Sequence, residues 1–80
     1  RHLSATLAPE QINVNSIAPG FFPTKMMAHA DIDAISKKIP KGRAGHPDDA
    51  AGAAIFLASR ASAWITGVTL PVDGGWVASA

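Results

Sequence analysis

The segment from Ile12 to Thr24 constrains the fold of this chain more than any other part of the sequence. Its β-branched residues favour an extended strand over Ile12–Ala18, with polar residues between them. The strand is expected to stop at Pro19 and Gly20, because proline cannot donate to a sheet ladder and glycine accepts unusual backbone angles. A buried strand that ends at a kinked loop carrying a hydroxyl is typical of a ligand site at the carboxyl end of an open α/β sheet.

The remaining elements predict an α/β fold with two strands. Residues 1–8 read as the last turns of a helix, Pro47–Ser59 as a second helix, and Val68–Val72 as a second strand. The second helix starts with proline and two carboxylates, which suit the positive end of the helix dipole. Its mixed apolar face predicts burial on more than one side, against the sheet and a partner subunit. Two strands joined by a helical crossover are expected to be parallel.

Residues 21–40, which we call the lid region, predict one or two short helices. Thr24 is a candidate cap for a helix through Ala30, and Asp31 or Asp33 for another through Ile39. The apolar residues of this region are expected to form a mobile, adaptable surface that includes two methionines. They are Phe21, Phe22, Met26 and Met27.

Composition excludes several classes of protein. With 48% hydrophobic residues, 16% charged residues and a net charge of +1, the chain is too apolar for disorder and too nearly neutral for a nucleic-acid partner. The apolar runs are too short for a membrane span. There is no cysteine, so neither a disulfide nor a thiolate metal site is available, as fits a reducing compartment such as the cytoplasm.

Few residues suggest chemistry of their own. The three histidines lack the spacing of metal ligands, and no phosphate-binding glycine fingerprint or nucleophile motif is present. The basic residues of Lys37–Arg43 favour a solvated face, with a docking patch for an acidic partner or a phosphate as the alternative. The chain starts inside a helical pattern, and we therefore expect it to be the C-terminal portion of something longer.

Several motifs, in order, resemble the short-chain dehydrogenase/reductase family. The strand that ends in Asn-x-Ile-x-Pro-Gly, with a threonine shortly after, is the first of them. The others that agree are Gly42–Arg43, Pro47–Ala51, Phe56–Ser59, Ile65–Gly67 and Val72–Gly75. Within the family the sequence most resembles the 3-oxoacyl-[acyl-carrier-protein] reductase branch, including its rhamnolipid-type β-ketoacyl reductases.

This resemblance implies a Rossmann-type doubly wound parallel sheet, of which residues 1–80 supply the C-terminal part: the last two strands, the lid helices and the crossover helix. The family's catalytic Ser and Tyr-x-x-x-Lys set would lie before residue 1, so no catalytic residue is assigned here. The resemblance implies contacts to NADP or NAD by Pro19 and Gly20, against the nicotinamide. It also implies that the backbone of Phe22 contacts the carboxamide of the nicotinamide. The hydroxyl of Thr24 would contact the carboxamide or the pyrophosphate. Pro23 departs from the family pattern by removing a backbone donor beside that threonine.

The implied function is hydride transfer between the nicotinamide and a small, lipophilic carbonyl or alcohol substrate, with a 3-oxoacyl thioester as the candidate. The alternative is a non-catalytic NAD(P)-binding or scaffold member, which would lack the tyrosine upstream. The full-length protein is expected to be a homotetramer or homodimer. We expect the isolated chain to be inactive, because its first strand lacks a neighbour on one side; micromolar binding of NADPH by that chain would contradict this.

Overall fold

Three α-helices and two β-strands form the framework of the chain, in a computed structural model that describes residues 1–79. They are α1 (His2–Leu7), β1 (Ser16–Pro19), α2 (His29–Ser36), α3 (Pro47–Ala58) and β2 (Thr69–Val72). Short 3₁₀ turns occupy Ala8–Glu10, Arg60–Ser62 and Val77–Ser79. The predicted α/β composition, with helices between two strands, is confirmed.

The two strands pair in parallel, as predicted. Ser16 faces Thr69 at the start of the ladder, and Pro19 faces Val72 at its end. The ladder continues one residue further, because the Gly20 N–H donates to the Val72 carbonyl at 2.9 Å. Because that bond comes from the N–H of the residue after Pro19, the missing N–H of the proline removes no hydrogen bond between β1 and β2.

The first strand begins later than the sequence predicted, at Ser16 instead of Ile12. Before Ser16, side-chain bonds supplement the backbone pairing, in which the Gly67 N–H donates to the Val14 carbonyl at 2.9 Å. The Asn15 amide donates to the Ile65 carbonyl at 3.1 Å and accepts from the Val68 N–H at 3.1 Å. Asn13 donates to the Ala63 carbonyl at 3.2 Å. The segment before β1 is therefore joined to the segment before β2 by a backbone bond together with asparagine side chains, a pattern that strand propensity does not report.

The helices of the lid region also differ from the prediction. No helix starts at Thr24; the one helix among residues 21–40 is α2, which begins at His29 without a side-chain cap and ends at Ser36. Asp31 lies in its first turn, where a carboxylate suits the dipole, and caps nothing. The expected extension to Ile39 is replaced by turns in which the Ile39 N–H donates to the Ser36 carbonyl.

The helix α3 matches its predicted range within one residue, and its start is fixed by a capping box. The backbone N–H of His46 donates to Asp49 Oδ2 at 2.8 Å, and Pro47 occupies the first turn. Burial on more than one side is not seen within the described chain. The side of α3 that carries Leu57 is half-buried near the strands, whereas Ile55 is 68% exposed.

The described residues do not build a closed core. Ile39 is the one buried hydrophobic residue among them, whereas Trp64 is 97% exposed. The accessible surface is 6147 Å², against about 4500 Å² for a folded monomer of this mass. The radius of gyration is 15.4 Å, against about 12 Å for a compact domain of this length. None of the described helices is both long enough and apolar enough to cross a bilayer.

We predict that Asn15→Ala destabilises the protein by about 1–3 kcal/mol, because it leaves a carbonyl and an N–H without their partner. Asn13→Ala is the matched control: it removes a single exposed bond, and its cost should stay below about 1 kcal/mol. Urea unfolding of the complete protein and of both variants measures the difference in the free energy of unfolding. Equal costs for the two variants would contradict the bridging role of Asn15.

Candidate functional site

The loops that follow the two strands meet at one edge of the sheet. Because β1 and β2 are parallel, the loop after Pro19 and the loop after Val72 leave from neighbouring carboxyl ends. This edge is where open α/β sheets bind ligands. The candidate site therefore consists of residues 19–24 and residues 73–75, together with the chain that packs against them.

Gly20 allows these two loops to touch. A Cβ placed on Gly20 would lie 2.6 Å from the Cβ of Asp73 and 2.7 Å from its Cα. These distances are too short for any side chain at this position, so the glycine is required by close approach of the second loop. The Pro-Gly pair is thus part of a contact between loops, as well as the end of a strand.

Phe22 anchors the other end of the first loop. Its ring lies so close to Gly45 that a Cβ there would be 2.5 Å from the ring. The Gly45 N–H also donates to the Phe21 carbonyl at 2.8 Å. The loop is therefore held between Asp73 on one side and the segment before α3 on the other.

An open pocket of about 350 Å³ lies beside this loop. Phe21, Phe22 and Ile39 contribute apolar surface to it. Charged residues, among them Lys41 and Arg43, also line it. The pocket combines an apolar wall with polar groups, as small-molecule sites do.

The structure places the four predicted cofactor contacts in one loop, but brings only one of them into this pocket. Phe22 lines it, whereas Pro19, Gly20 and Thr24 do not. Pro19 and Thr24 are exposed, and Gly20 is half-buried behind Asp73.

Polar groups that could take up a ligand remain in this loop. Within residues 1–79, the backbone N–H and C=O of Phe22 have no hydrogen-bond partner, and neither has the hydroxyl of Thr24. An amide ligand needs one acceptor and one donor, and the Phe22 backbone offers both. These groups fit the carboxamide of a nicotinamide.

The basic run contributes an ion pair that stabilises the structure at the rim of the pocket. The guanidinium of Arg43 donates to both carboxylate oxygens of Asp49, at 2.8 and 3.2 Å. These bonds, with the N–H of His46, lower the pKa of Asp49 to about 2. The same pair raises the pKa of Arg43. Lys37, Lys38 and Lys41 are exposed, as the solvated interpretation predicted.

Sequence reasoning missed two participants in the site, Asp73 and Gly45. The sequence offers Asp73 only as part of the motif Val72–Gly75, although an aspartate before two glycines is a recognisable sign of a side chain that caps its own turn. Gly45 has no comparable local signal, because its need for glycine arises from a ring 23 residues earlier in the chain. Among the described residues, no three His, Asp or Glu side chains are grouped for metal binding.

The sequence matches known proteins over most of its length. The sequence family described as Enoyl-(Acyl carrier protein) reductase matches residues 1–77. The chain is 46% identical to the rhamnolipids biosynthesis 3-oxoacyl-[acyl-carrier-protein] reductase of Pseudomonas aeruginosa, over 95% of this chain and 32% of that protein. It is 47% identical to the 2-dehydro-3-deoxy-D-gluconate 5-dehydrogenase of Dickeya dadantii, over 98% of this chain and 33% of that protein.

The fold agrees with a solved structure. The Pseudomonas aeruginosa RhlG/NADP active-site complex superposes with a TM-score of 0.84 and 44% identity, over 94% of this chain and 32% of that one. The chain thus spans about a third of the length of the curated relatives it matches.

The pKa of Asp49 predicts how acid affects the protein. A carboxylate whose pKa is lower in the folded state stabilises the fold fully above about pH 4, and this contribution is lost as the pH falls towards 2. We predict that Asp49→Asn lowers stability at neutral pH and flattens the change in stability between pH 4 and 2. Denaturant titrations of the complete protein and of the variant across that pH range measure the free energy of unfolding.

Asp48→Asn is the matched control, because the Asp48 side chain is 93% exposed and lies 3.7 Å from His46 Nδ1 without a closer partner. A wild-type protein and an Asp49→Asn variant with the same acid slope would show that the Arg43 pair does not hold this carboxylate.

Proposed function

The chain belongs to the short-chain dehydrogenase/reductase family, and on that premise we propose that residues 1–80 are the C-terminal portion of a single NAD(P)-binding Rossmann-type domain. The complete protein is then an NADP- or NAD-dependent oxidoreductase that transfers hydride between the nicotinamide and a carbonyl or alcohol. The proposal rests on the family match over residues 1–77 and on a loop at the sheet edge with polar groups left for a ligand.

In this proposal the loop from Pro19 to Thr24 faces the nicotinamide. Pro19 and Gly20 supply an apolar wall for the ring. The Phe22 N–H and C=O bind the carboxamide oxygen and NH₂, and the Thr24 hydroxyl binds the carboxamide or the pyrophosphate. The cofactor supplies or accepts the hydride. These residues hold and orient the ring, and none of them moves a proton. The acid–base groups lie before residue 1 in this proposal, as the family resemblance implies.

The wide exposure of the chain supports a further part of the proposal, that the isolated 80 residues are inactive. One buried hydrophobic residue among those described cannot provide the core of an independent domain. The free edge of β1 and the exposed apolar residues are surfaces for the rest of the domain and for other subunits, in a homotetramer or homodimer.

For the substrate we propose a small lipophilic carbonyl compound or alcohol, with a 3-oxoacyl thioester as the candidate. Sequence identity does not decide the substrate, because an acyl-carrier reductase and a sugar-acid dehydrogenase match the chain almost equally well. The lid region favours an apolar substrate, because Met26 is 94% exposed and Met27 is the next residue along the chain. The Phe22 ring, in contrast, packs against Gly45.

A comparison of two substrates tests this choice. The complete enzyme should reduce an acetoacetyl thioester with NADPH at a higher kcat/KM than that at which it oxidises the C5 hydroxyl of 2-dehydro-3-deoxy-D-gluconate with NADP⁺. Met26→Gln should raise the KM for the thioester, and the neighbouring Lys25→Gln should not. A clear preference for the sugar acid would contradict the acyl assignment.

Thr24→Val tests the cofactor site with an isosteric change. Loss of one hydrogen bond from the hydroxyl should raise the KM for NADPH roughly 2- to 10-fold. Thr6→Val, which removes a hydroxyl that bonds within α1 to the His2 carbonyl, is the control and should leave this KM unchanged. An unaltered KM in Thr24→Val would remove Thr24 from the site.

A further inference from the structure

The carboxylate of Asp73 holds the turn at the end of β2 in shape. Its Oδ1 accepts from the Gly75 N–H at 2.9 Å, and its Oδ2 accepts from the Val77 N–H at 3.1 Å. Gly74 and Gly75 have φ angles of 65° and 95°, in the left-handed region. The turn is therefore built on two glycines and fixed by both oxygens of one side chain.

On one side this turn presses against the cofactor-facing loop. The Cβ and Cα of Asp73 occupy the space that a side chain at Gly20 would need, at 2.6 and 2.7 Å from its Cβ position. The Gly20 N–H is bonded to the residue just before Asp73, at the Val72 carbonyl. A shift of the turn must therefore move the Pro19–Gly20 peptide.

On its other side the turn supports the end of the lid region. A Cβ on Gly74 would lie 2.8 Å from Ile39 Cγ2, and one on Gly75 would lie 3.2 Å from Pro40 Cβ. The Lys41 N–H donates to the Gly74 carbonyl at 3.1 Å. Ile39 is only 5% exposed, so this contact is the best packed apolar point among the described residues.

We propose that Asp73 is a positioning residue of the oxidoreductase, which sets the placement of both the nicotinamide-facing loop and the distal end of the lid region. It touches neither cofactor nor substrate in this proposal; it acts through the turn, on Gly20 and on Ile39. The inference rests on the function proposed above for the loop from Pro19 to Thr24. The structural basis is that one carboxylate fixes a turn against which two functional segments are packed.

Kinetics of Asp73→Ala and Asp73→Asn in the complete enzyme test this role. Asp73→Ala removes both acceptors and should raise the KM for NADPH roughly 5- to 10-fold. Asp73→Asn keeps one oxygen acceptor and should give a smaller increase. Asp48→Asn, an exposed acid outside this turn, is the control and should match the wild type. A purely structural role would reduce the amount of active enzyme, and thus kcat, without changing this KM.

Amide exchange provides a readout that does not depend on the cofactor. In Asp73→Ala, or in Asp73→Asn if the alanine variant does not fold, the hydrogen-bonded amides of Gly20, Ile39 and Lys41 should exchange faster than in the wild type. The Thr6 and Asp49 regions should be unchanged. Wild-type exchange at both segments would overturn the proposal, as would a variant KM equal to that of the wild type.

The two proposals fail in different ways. Wild-type enzyme that does not bind NADPH would refute the proposed function, and the exchange rates would still decide whether Asp73 positions the two segments. Wild-type enzyme that binds NADPH, with an unchanged KM in both Asp73 variants, would refute only the positioning role.

Discussion

The side-chain amide of Asn15 bridges two segments on whose pairing the rest of the structure depends. One side chain donates to the Ile65 carbonyl and accepts from the Val68 N–H, two groups that lie just before β2. It therefore joins segments about 50 residues apart and, together with the backbone bonds on either side of it, supports the register in which Ser16 meets Thr69. Since both amide atoms are used, neither a carboxylate nor an apolar residue can replace it without losing a bond.

The position of the site follows from that register. Parallel pairing from Ser16 brings Pro19 and Val72 to the same edge, so that the loops after them are side by side. Gly20 then allows Asp73 to approach, and Gly45 allows the Phe22 ring to approach. The loop that we propose to face the nicotinamide is thus held by contacts on both sides, while the Phe22 backbone and the Thr24 hydroxyl keep their polar groups for a ligand.

The sequence predicted the features that depend on local chemistry. Proline and two carboxylates located the start of α3, the Pro-Gly pair located the end of β1, and the order of the motifs identified the family. It did not predict features that arise from distant contacts. Strand propensity over Ile12–Ala18 gave no sign that the Asn15 side chain bridges to the segment before β2, and Thr24 lies in an open loop instead of capping a helix. The role of Gly45 follows from packing against a ring far away in sequence, which no local pattern encodes. The turn cap of Asp73 is local, but its contact with Gly20 is not.

We propose that the loop from Pro19 to Thr24 binds the nicotinamide through its backbone. Hydrogen–deuterium exchange of the complete protein, with and without NADPH, tests it most directly, because the two prolines leave only residues 20–22 and Thr24 as amides within this stretch. The Gly20 amide, already bonded to the Val72 carbonyl, should be protected in both states. The Phe22 amide should exchange fast without NADPH and become protected with it. An equally fast Phe22 amide in the saturated complex would contradict the account.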